Sequence, residues 1–271
     1  MVKKKIAVVT GASSGIGEAT ARLLAKSGYT VYGVARRIEK MEHLKALGIH
    51  ILPMDVSVDE SMVRTIDAII AAEGTIDVLI NNAGFGSFGA MEDVSMKNAR
   101  YQLEVNVIGL ARLCQLVLPY MRSQRAGKIV NVTSIGGKMA TPLGGWYHAS
   151  KFAVEGLSDS LRMEVKQFGV DVIIIEPGGV KTEWAGIAID HANNASGSSA
   201  YSDMTEKAKK VSMKQEKYSE PIEIATVIKK AIEVDKPKAR YAQGHLSGVI
   251  LFAKRWLNDG LFDKLIMSQL K

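Results

Sequence analysis

Cysteine is nearly absent: 271 residues include only Cys114. An intrachain disulfide and a multi-thiolate metal site are thereby excluded. With Leu110, Leu113 and Val117 close in sequence, Cys114 reads as a packing residue rather than a nucleophile, and nothing points to an oxidising compartment. Aromatic residues make up 6% of the chain and do not interleave with basic ones, so no nucleic-acid partner is expected. Long apolar runs are missing too. Ile6–Val9, behind Lys3-Lys4-Lys5, ends at Thr10-Gly11, short of the roughly 7–15 apolar residues of a signal-peptide core. Val249–Ala253 is cut by Lys254-Arg255, short of the ~20 residues that span a bilayer. No transmembrane segment is expected, and a cytoplasmic location is. The histidines, His43, His50, His148, His191 and His245, lack metal-ligand spacing, and Ser134 lies in no G-x-S-x-G pattern, so neither a metal nor a serine-hydrolase site is expected.

The chain is 47% hydrophobic and 23% charged, the balance of an ordinary globule with one sizeable core. Its formal net charge is +7, and from Lys236 onward seven Lys and Arg face two Asp. A basic face of that kind suits an anionic cofactor, an anionic substrate or a membrane surface.

Short apolar runs alternate with helical patterns along the chain. Ile6–Val9 reads as a strand buried on both faces. Gly11–Gly17 is a glycine-rich turn, and Glu18–Ser27 a helix stopped by Gly28. The same unit recurs through strands at Thr30–Ala35, Ile49–Met54, Ile76–Asn81, Lys128–Thr133 and Val170–Glu176. Helices are predicted at Glu39–Leu47, Val58–Glu73, Ser95–Arg122 and Tyr147–Phe168. Alternation of this kind implies an α/β fold: a doubly wound, Rossmann-type parallel sheet with helices on both faces, in a single domain spanning 1–271. Beyond Gly178 the regularity stops. Residues 181–220 read as a substrate lid, with a polar loop at His191–Ser199 and a lysine-rich helix at Thr205–Lys217. A last core helix is expected at Pro221–Val234, an edge strand at Lys236–Gln243, and a C-terminal appendage of two amphipathic helices at about 245–271.

Thr10-Gly11-Ala12-Ser13-Ser14-Gly15-Ile16-Gly17 joins a buried strand to a helix. Glycines there let the backbone approach a pyrophosphate, whose charge is met by free N–H groups at the helix start. At the end of the second strand an NAD site wants a carboxylate for the ribose hydroxyls. This chain has Ala35-Arg36-Arg37, which removes that repulsion and offers planar donors to a 2′-phosphate, so NADP(H) is the expected cofactor. Tyr147 and Lys151 stand one helical turn apart. A cation beside the phenol is expected to lower its pKa and make it a usable acid or base.

Thr10–Gly17, Asp55, Asn81-Asn82-Ala83-Gly84, Asn106, Ser134, Tyr147, Lys151 and Pro177-Gly178 together closely resemble the short-chain dehydrogenases/reductases, over about Ile6 to Thr182. Glu176–Glu183 is most similar to the branch of hydroxysteroid and retinol dehydrogenases, which also holds acyl-dihydroxyacetone-phosphate reductases. The resemblance implies that Asp55 bonds the adenine amino group, with Val56 beside the ring. Asn82, Ala83 and Gly84 would line the adenosine side, and Val180 and Thr182 would hold the nicotinamide carboxamide. Ser134 would bond the substrate carbonyl, Tyr147 exchange its proton, Lys151 lower the phenol pKa and bind the nicotinamide ribose, and Asn106 hold a water linking Lys151 to solvent. For Asp55 a helix cap, and for Asn106 a purely structural role, stay open.

The function these residues imply is NADP(H)-dependent hydride transfer to a carbonyl, or from a secondary alcohol, of a small lipophilic substrate of steroid, retinoid or acyl type. Phe85, Phe88, Trp146, Trp184 and Ile187 near the expected cleft fit such a substrate. Reduction of 3-oxoacyl thioesters is a rival, disfavoured by the chain's length and lid. A silent NADP(H)-binding sensor or scaffold is another, disfavoured by the intact Ser134, Tyr147 and Lys151. The resemblance also implies a homodimer or homotetramer. For the C-terminal helices three roles stay open: covering the cleft, which ranks first, peripheral membrane contact, or a subunit contact.

Overall fold

A computed structural model of the chain describes residues 4–212 and 215–270. The elements run β1 Ile6–Thr10, α1 Gly15–Lys26, β2 Thr30–Ala35, a 3₁₀ stretch Ile38–Leu47, β3 His50–Pro53, α2 Asp59–Glu73 and β4 Val78–Asn81. They continue through α3 Met96–Leu103, a π-helical turn Glu104–Ile108, α4 Gly109–Ser123, β5 Gly127–Val132, α5 Gly145–Val165 and β6 Val170–Pro177. Last come α6 Trp184–Ser196, α7 Ser202–Ser212, α8 Pro221–Glu233, β7 Arg240–Gln243, α9 Ser247–Trp256 and α10 Asp259–Ser268.

The seven strands form one sheet in the order β3-β2-β1-β4-β5-β6-β7, and every pairing is parallel. Apolar runs with no polar alternation make this possible, because each strand must satisfy two apolar layers. Ile6, Val8, Leu79, Ile129 and Val172 join one layer with Ile66 of α2, Leu113 of α4 and Val154 of α5. Their neighbours Ala7, Val9, Ile80, Val130 and Ile173 join the other with Leu24 of α1 and Ile228 of α8. Each such side chain contributes on the order of 1.5–3 kcal/mol by leaving water, so burial rather than local propensity fixes the sheet. The order reverses at β1, between β2 and β4, and that reversal opens a crevice at the strands' C-terminal ends.

Five elements differ from the sequence reading. Residues 39–47 wind as a 3₁₀ stretch rather than an α-helix. The edge strand is only Arg240–Gln243, since Pro237 cannot donate to a sheet ladder. The polar run from His191 is not a loop as far as Ser196: it is the second half of α6. Ala188, Ala192 and Ser196, four residues apart, are buried. Ser196 Oγ accepts from the Ala90 backbone N–H at 2.8 Å, so small side chains there allow close packing rather than signalling a turn. The lysine-rich helix is described as far as Ser212, and Gln215–Lys217 form a 3₁₀ turn; residues 213 and 214 of that expectation, like Lys271 of the appendage, lie outside the described residues.

The long helix predicted over 95–122 is broken in the middle by the π-turn. Met96–Ser123 is the one stretch, among the described residues, long and apolar enough to cross a bilayer. Its stripe of Leu110, Leu113, Cys114, Val117 and Met121 is buried against the sheet, so it serves as a core helix.

Candidate active site

The glycine loop turns between β1 and α1 through Gly11 and Gly15, whose φ angles of 68° and 58° favour glycine. A Cβ on Gly17 would strike the Gly11 carbonyl oxygen, so the start of α1 lies directly on the loop. Ser14, the N-cap of α1, makes no side-chain capping bond, and the helix start, Ser14 to Ile16, lines the crevice, where an anion is favoured. Thr10 ties this loop to the next one. Its hydroxyl oxygen accepts from the backbone N–H groups of Asn82 at 3.0 Å and Ala83 at 2.9 Å. Asn82 Nδ2 donates back to the Thr10 carbonyl at 3.0 Å. The Asn82 side chain thus clamps two loops together, while Ala83 and Gly84 join it in lining the crevice.

Arg37 reaches over the loop, with Nη2 3.3 Å from Ser13 Oγ and 3.4 Å from Ser14 Oγ. Arg36 turns the other way and donates to the Tyr101 hydroxyl at 2.6 Å. Glu183 pairs with Arg37 at 3.3 Å and Lys40 at 3.0 Å, a contact for which the sequence carries no signal, since 146 positions separate Glu183 from Arg37. Asp55 and Val56 line the same crevice. Asp55 Oδ1 accepts from the Ser57 N–H at 2.9 Å and hydroxyl at 2.7 Å, a local turn and not a cap, for α2 is N-capped by Val58. Gly109 allows the long helix to meet this segment, because a Cβ there would collide with the Val56 carbonyl oxygen.

Ser134, Tyr147 and Lys151 converge at the crevice floor. Ser134 stands two residues beyond β5; its Oγ accepts from Gly136 N–H at 3.0 Å and is near enough to the Tyr147 phenol to draw its pKa down. Tyr147 and Lys151 are buried on α5. Lys151 Nζ lies 5.9 Å from the Tyr147 ring centre and donates to the Val132 carbonyl at 3.1 Å. Next to them, His148 Nε2 accepts from the Thr141 N–H at 3.0 Å, and Nδ1 lies 2.9 Å from the Gly136 carbonyl. With both ring nitrogens used and burial pushing its pKa down, His148 is a neutral brace for residues 134–144, which line the crevice in part. It sits inside the Tyr147–Lys151 motif, but no spacing marked it.

The phenol's pKa is shifted opposite to the expected direction. Burial pushes it up to about 12, with Ser134 pulling it back. Burial also pushes Lys151 down to about 8, against support from Glu155. Desolvation disfavours phenolate and ammonium alike, and it is the largest cause of both shifts. Glu155, itself buried, accepts from Thr133 Oγ1 at 2.7 Å and pairs with Lys138 at 2.7 Å and Arg240 at 3.0 Å.

A stability prediction follows from the lysine. Its folded pKa lies below the unfolded value of 10.5, so the unfolded chain binds more protons between about 8 and 10.5, and this group's contribution to stability rises with pH there. The penalty is felt in full below about 8. Lys151→Met is expected to stabilise folding at pH 7 by about 1–3 kcal/mol, with most of that gain gone by about pH 10. Urea unfolding at the two pH values checks it; a variant less stable than wild type at pH 7 would refute the burial penalty.

Asn106 lies in the π-turn and is buried. Its Oδ1 accepts from Phe85 N–H at 3.1 Å, and Nδ2 donates to the Phe85 carbonyl at 2.9 Å and Ser150 Oγ at 3.0 Å. These bonds hold the chain after Gly84 in place. Pro177, Gly178, Val180 and Thr182 close the opposite wall; Ser134 Oγ reaches the Pro177 carbonyl at 3.5 Å, and Thr182 lies against Gly15.

One cavity of about 1310 Å³ runs from the glycine loop, Arg36 and Arg37 to Ser134, Tyr147 and Lys151; Gly17 and Asn106 do not line it. From Tyr147 it continues past Phe88, Trp184 and Ala192 to Ala208 of α7, and on to Ile250 of α9 and Ile266 of α10. Of the five apolar residues expected near the cleft, Phe85, Phe88, Trp184 and Ile187 line the cavity and Trp146 does not.

A parallel sheet with this strand order, and with a glycine-turned helix start over its crevice, defines a dinucleotide-binding α/β protein. The family model for short chain dehydrogenases matches residues 5–192. The chain is 37% identical over 268 residues to a 3-ketodihydrosphingosine reductase of Bacteroides thetaiotaomicron, covering 97% of this chain and 96% of that one. It is 33% identical over 279 residues to an NADPH-dependent 3-dehydrocapnine reductase of Ornithobacterium rhinotracheale, covering 98% of both. A crystal structure of a short-chain dehydrogenase from Streptomyces avermitilis superposes with a TM-score of 0.83 at 31% identity, covering 98% of this chain and 95% of that one. The chain belongs to the short-chain dehydrogenase/reductase family, and it is an oxidoreductase.

Proposed function

We propose that the protein is an NADPH-dependent reductase of a ketone carried on a long apolar chain. The observation that carries this reading is one continuous cavity, with an arginine and a helix start at one end, Ser134, Tyr147 and Lys151 in the middle, and apolar side chains beyond. The names of the Bacteroides and Ornithobacterium relatives support the substrate class and the cofactor.

The residues fit a dinucleotide. Gly11, Ser13, Ser14, Gly15, Ile16 and Gly17 would hold the pyrophosphate with backbone N–H groups, since α1 has no side-chain cap to compete. Arg36 and Arg37 would hold the 2′-phosphate, Asp55 and Val56 the adenine, and Asn82, Ala83 and Gly84 the adenosine side. Pro177, Gly178, Val180, Thr182 and Lys151 would hold the nicotinamide half. The cofactor, when bound, supplies the hydride. Tyr147, kept protonated by burial, gives its proton to the carbonyl oxygen as charge develops there. Ser134 donates a hydrogen bond to the same oxygen. Lys151, between the phenol and Glu155, replenishes the proton; Asn106 positions the Phe85 backbone and, through water, links Lys151 to solvent. Residues 181–220 act as the lid, with α6 and α7 over the apolar end. Phe152, Leu157 and Met163 on α5 and Ile108 before α4 are exposed, an apolar face suited to a homodimer or homotetramer.

NADPH oxidation measured over ketones of graded chain length tests the reading. The expected result is a kcat/KM that rises with chain length. Turnover confined to short hydrophilic ketones would overturn it.

A further inference from the structure

The C-terminal appendage has two apolar sides. One side lines the cavity, through Leu246 and Ile250 of the α9 end and Ile266 and Leu270 of the α10 end. The other faces outward. Val249, Phe252 and Trp256, spaced three and four residues apart on α9, are 65%, 67% and 68% exposed. Leu261 and Leu265, one turn apart on α10, are exposed beside them in sequence. Side chains of this size are normally the ones a folded chain hides, and a cluster of them marks a contact surface. The hairpin is nonetheless held in place. Phe262 is buried beneath it, Lys254 Nζ lies 5.1 Å from that ring, and Asn258 caps α10 through the Leu261 N–H at 3.0 Å.

Its charges indicate what covers the surface. On the hairpin itself Lys254, Arg255 and Lys264 stand against Asp259 and Asp263; Lys254 and Asp259 pair at 2.7 Å, which leaves Arg255 and Lys264 against Asp263. Arg255 lies 5.9 Å from the exposed Trp256 ring, and Lys264 stands between Leu261 and Leu265 in sequence. A second copy placed on this face by a two-fold axis would set these cations against the same cations. An anionic lipid surface offers the opposite charge, and an interface where tryptophan and arginine are both at home.

We propose that the α9–α10 hairpin docks the protein on anionic bilayers, with Val249, Phe252, Trp256, Leu261 and Leu265 entering the headgroup boundary. The same hairpin walls the cavity, so a long-chain ketone would pass from the lipid into the site along its inner side without crossing water. That delivery role rests on the long-chain reading above; the docking does not.

The test is co-sedimentation of the full chain with phosphatidylcholine vesicles, with and without phosphatidylglycerol. Binding is expected to the anionic vesicles and to weaken with added salt. Phe252→Glu with Trp256→Glu is expected to lower the partition coefficient by at least about tenfold, while turnover of a short water-soluble ketone stays at the wild-type level. Sedimentation reads binding directly, so a chain that reduced no ketone at all would still decide the docking. Wild type left in the supernatant, or a double variant that binds as wild type does, would overturn the proposal. So would a double variant that only reduces the mass in light scattering, which would make the face a subunit contact.

Discussion

Tyr147→Phe is expected to lower turnover by about 10²–10⁴ while leaving NADPH affinity and folding essentially intact. The change deletes one oxygen. The ring keeps its neighbours Phe88 and Trp184, with centroids 5.5 and 5.0 Å away. Ser134 retains the Gly136 N–H. What disappears is the phenolic proton beside Ser134 and Lys151, in a site where burial keeps it attached. Single-turnover NADPH oxidation beside a fluorescence titration of NADPH separates the two effects. An unchanged single-turnover rate would remove the tyrosine from the reaction, and a lost fluorescence signal would mean that it serves binding instead.

Arg37→Ala is expected to raise the Kd for NADPH by one to two decades and to leave that for NADH nearly unchanged. Hydrogen bonds to a charged group are worth about 1.5–3 kcal/mol, and each ~1.4 kcal/mol is a factor of ten. Arg37 is expected to carry the larger share because its guanidinium lies over Ser13 and Ser14, whereas Arg36 is drawn toward Tyr101. The two Kd values, measured side by side, check it; a preference for NADPH that survives the substitution would refute the 2′-phosphate assignment.

Much of this architecture could be read from local pattern. Unbroken runs such as Ile6–Val9 and Val170–Glu176 demand two apolar faces, and glycines at 11, 15 and 17 demand a tight approach, so the parallel sheet and its phosphate end were legible. The long-range consequences were not. Spacing places Tyr147 and Lys151 together but says nothing of how deeply they are buried, and burial is what sets their pKa values. His191–Ser199 looked like a loop because Asn, Ser and Gly favour turns in isolation; packing of Ala188, Ala192 and Ser196 overrode that preference as far as Ser196. The Glu183 pairing and the cavity's extension to α9 and α10 join residues far apart in the chain, where composition carries no information.

The widened turn at 104–108 has one more consequence. An α-helix advances about 100° per residue, and a π-turn takes up one residue more than an α-turn, so the segments before and after it are out of phase by roughly that angle. Upstream, Gln102 clasps the Phe85 carbonyl and the Ser87 N–H, each at 2.5 Å. Downstream, Gly109 gives way to the Val56 carbonyl oxygen. An unbroken helix can aim only one of these correctly. Deleting any single residue from 104–108 would make the rod more regular and the crevice worse: either the strap at 85–87 or the strap at 55–56 would lose its fastening.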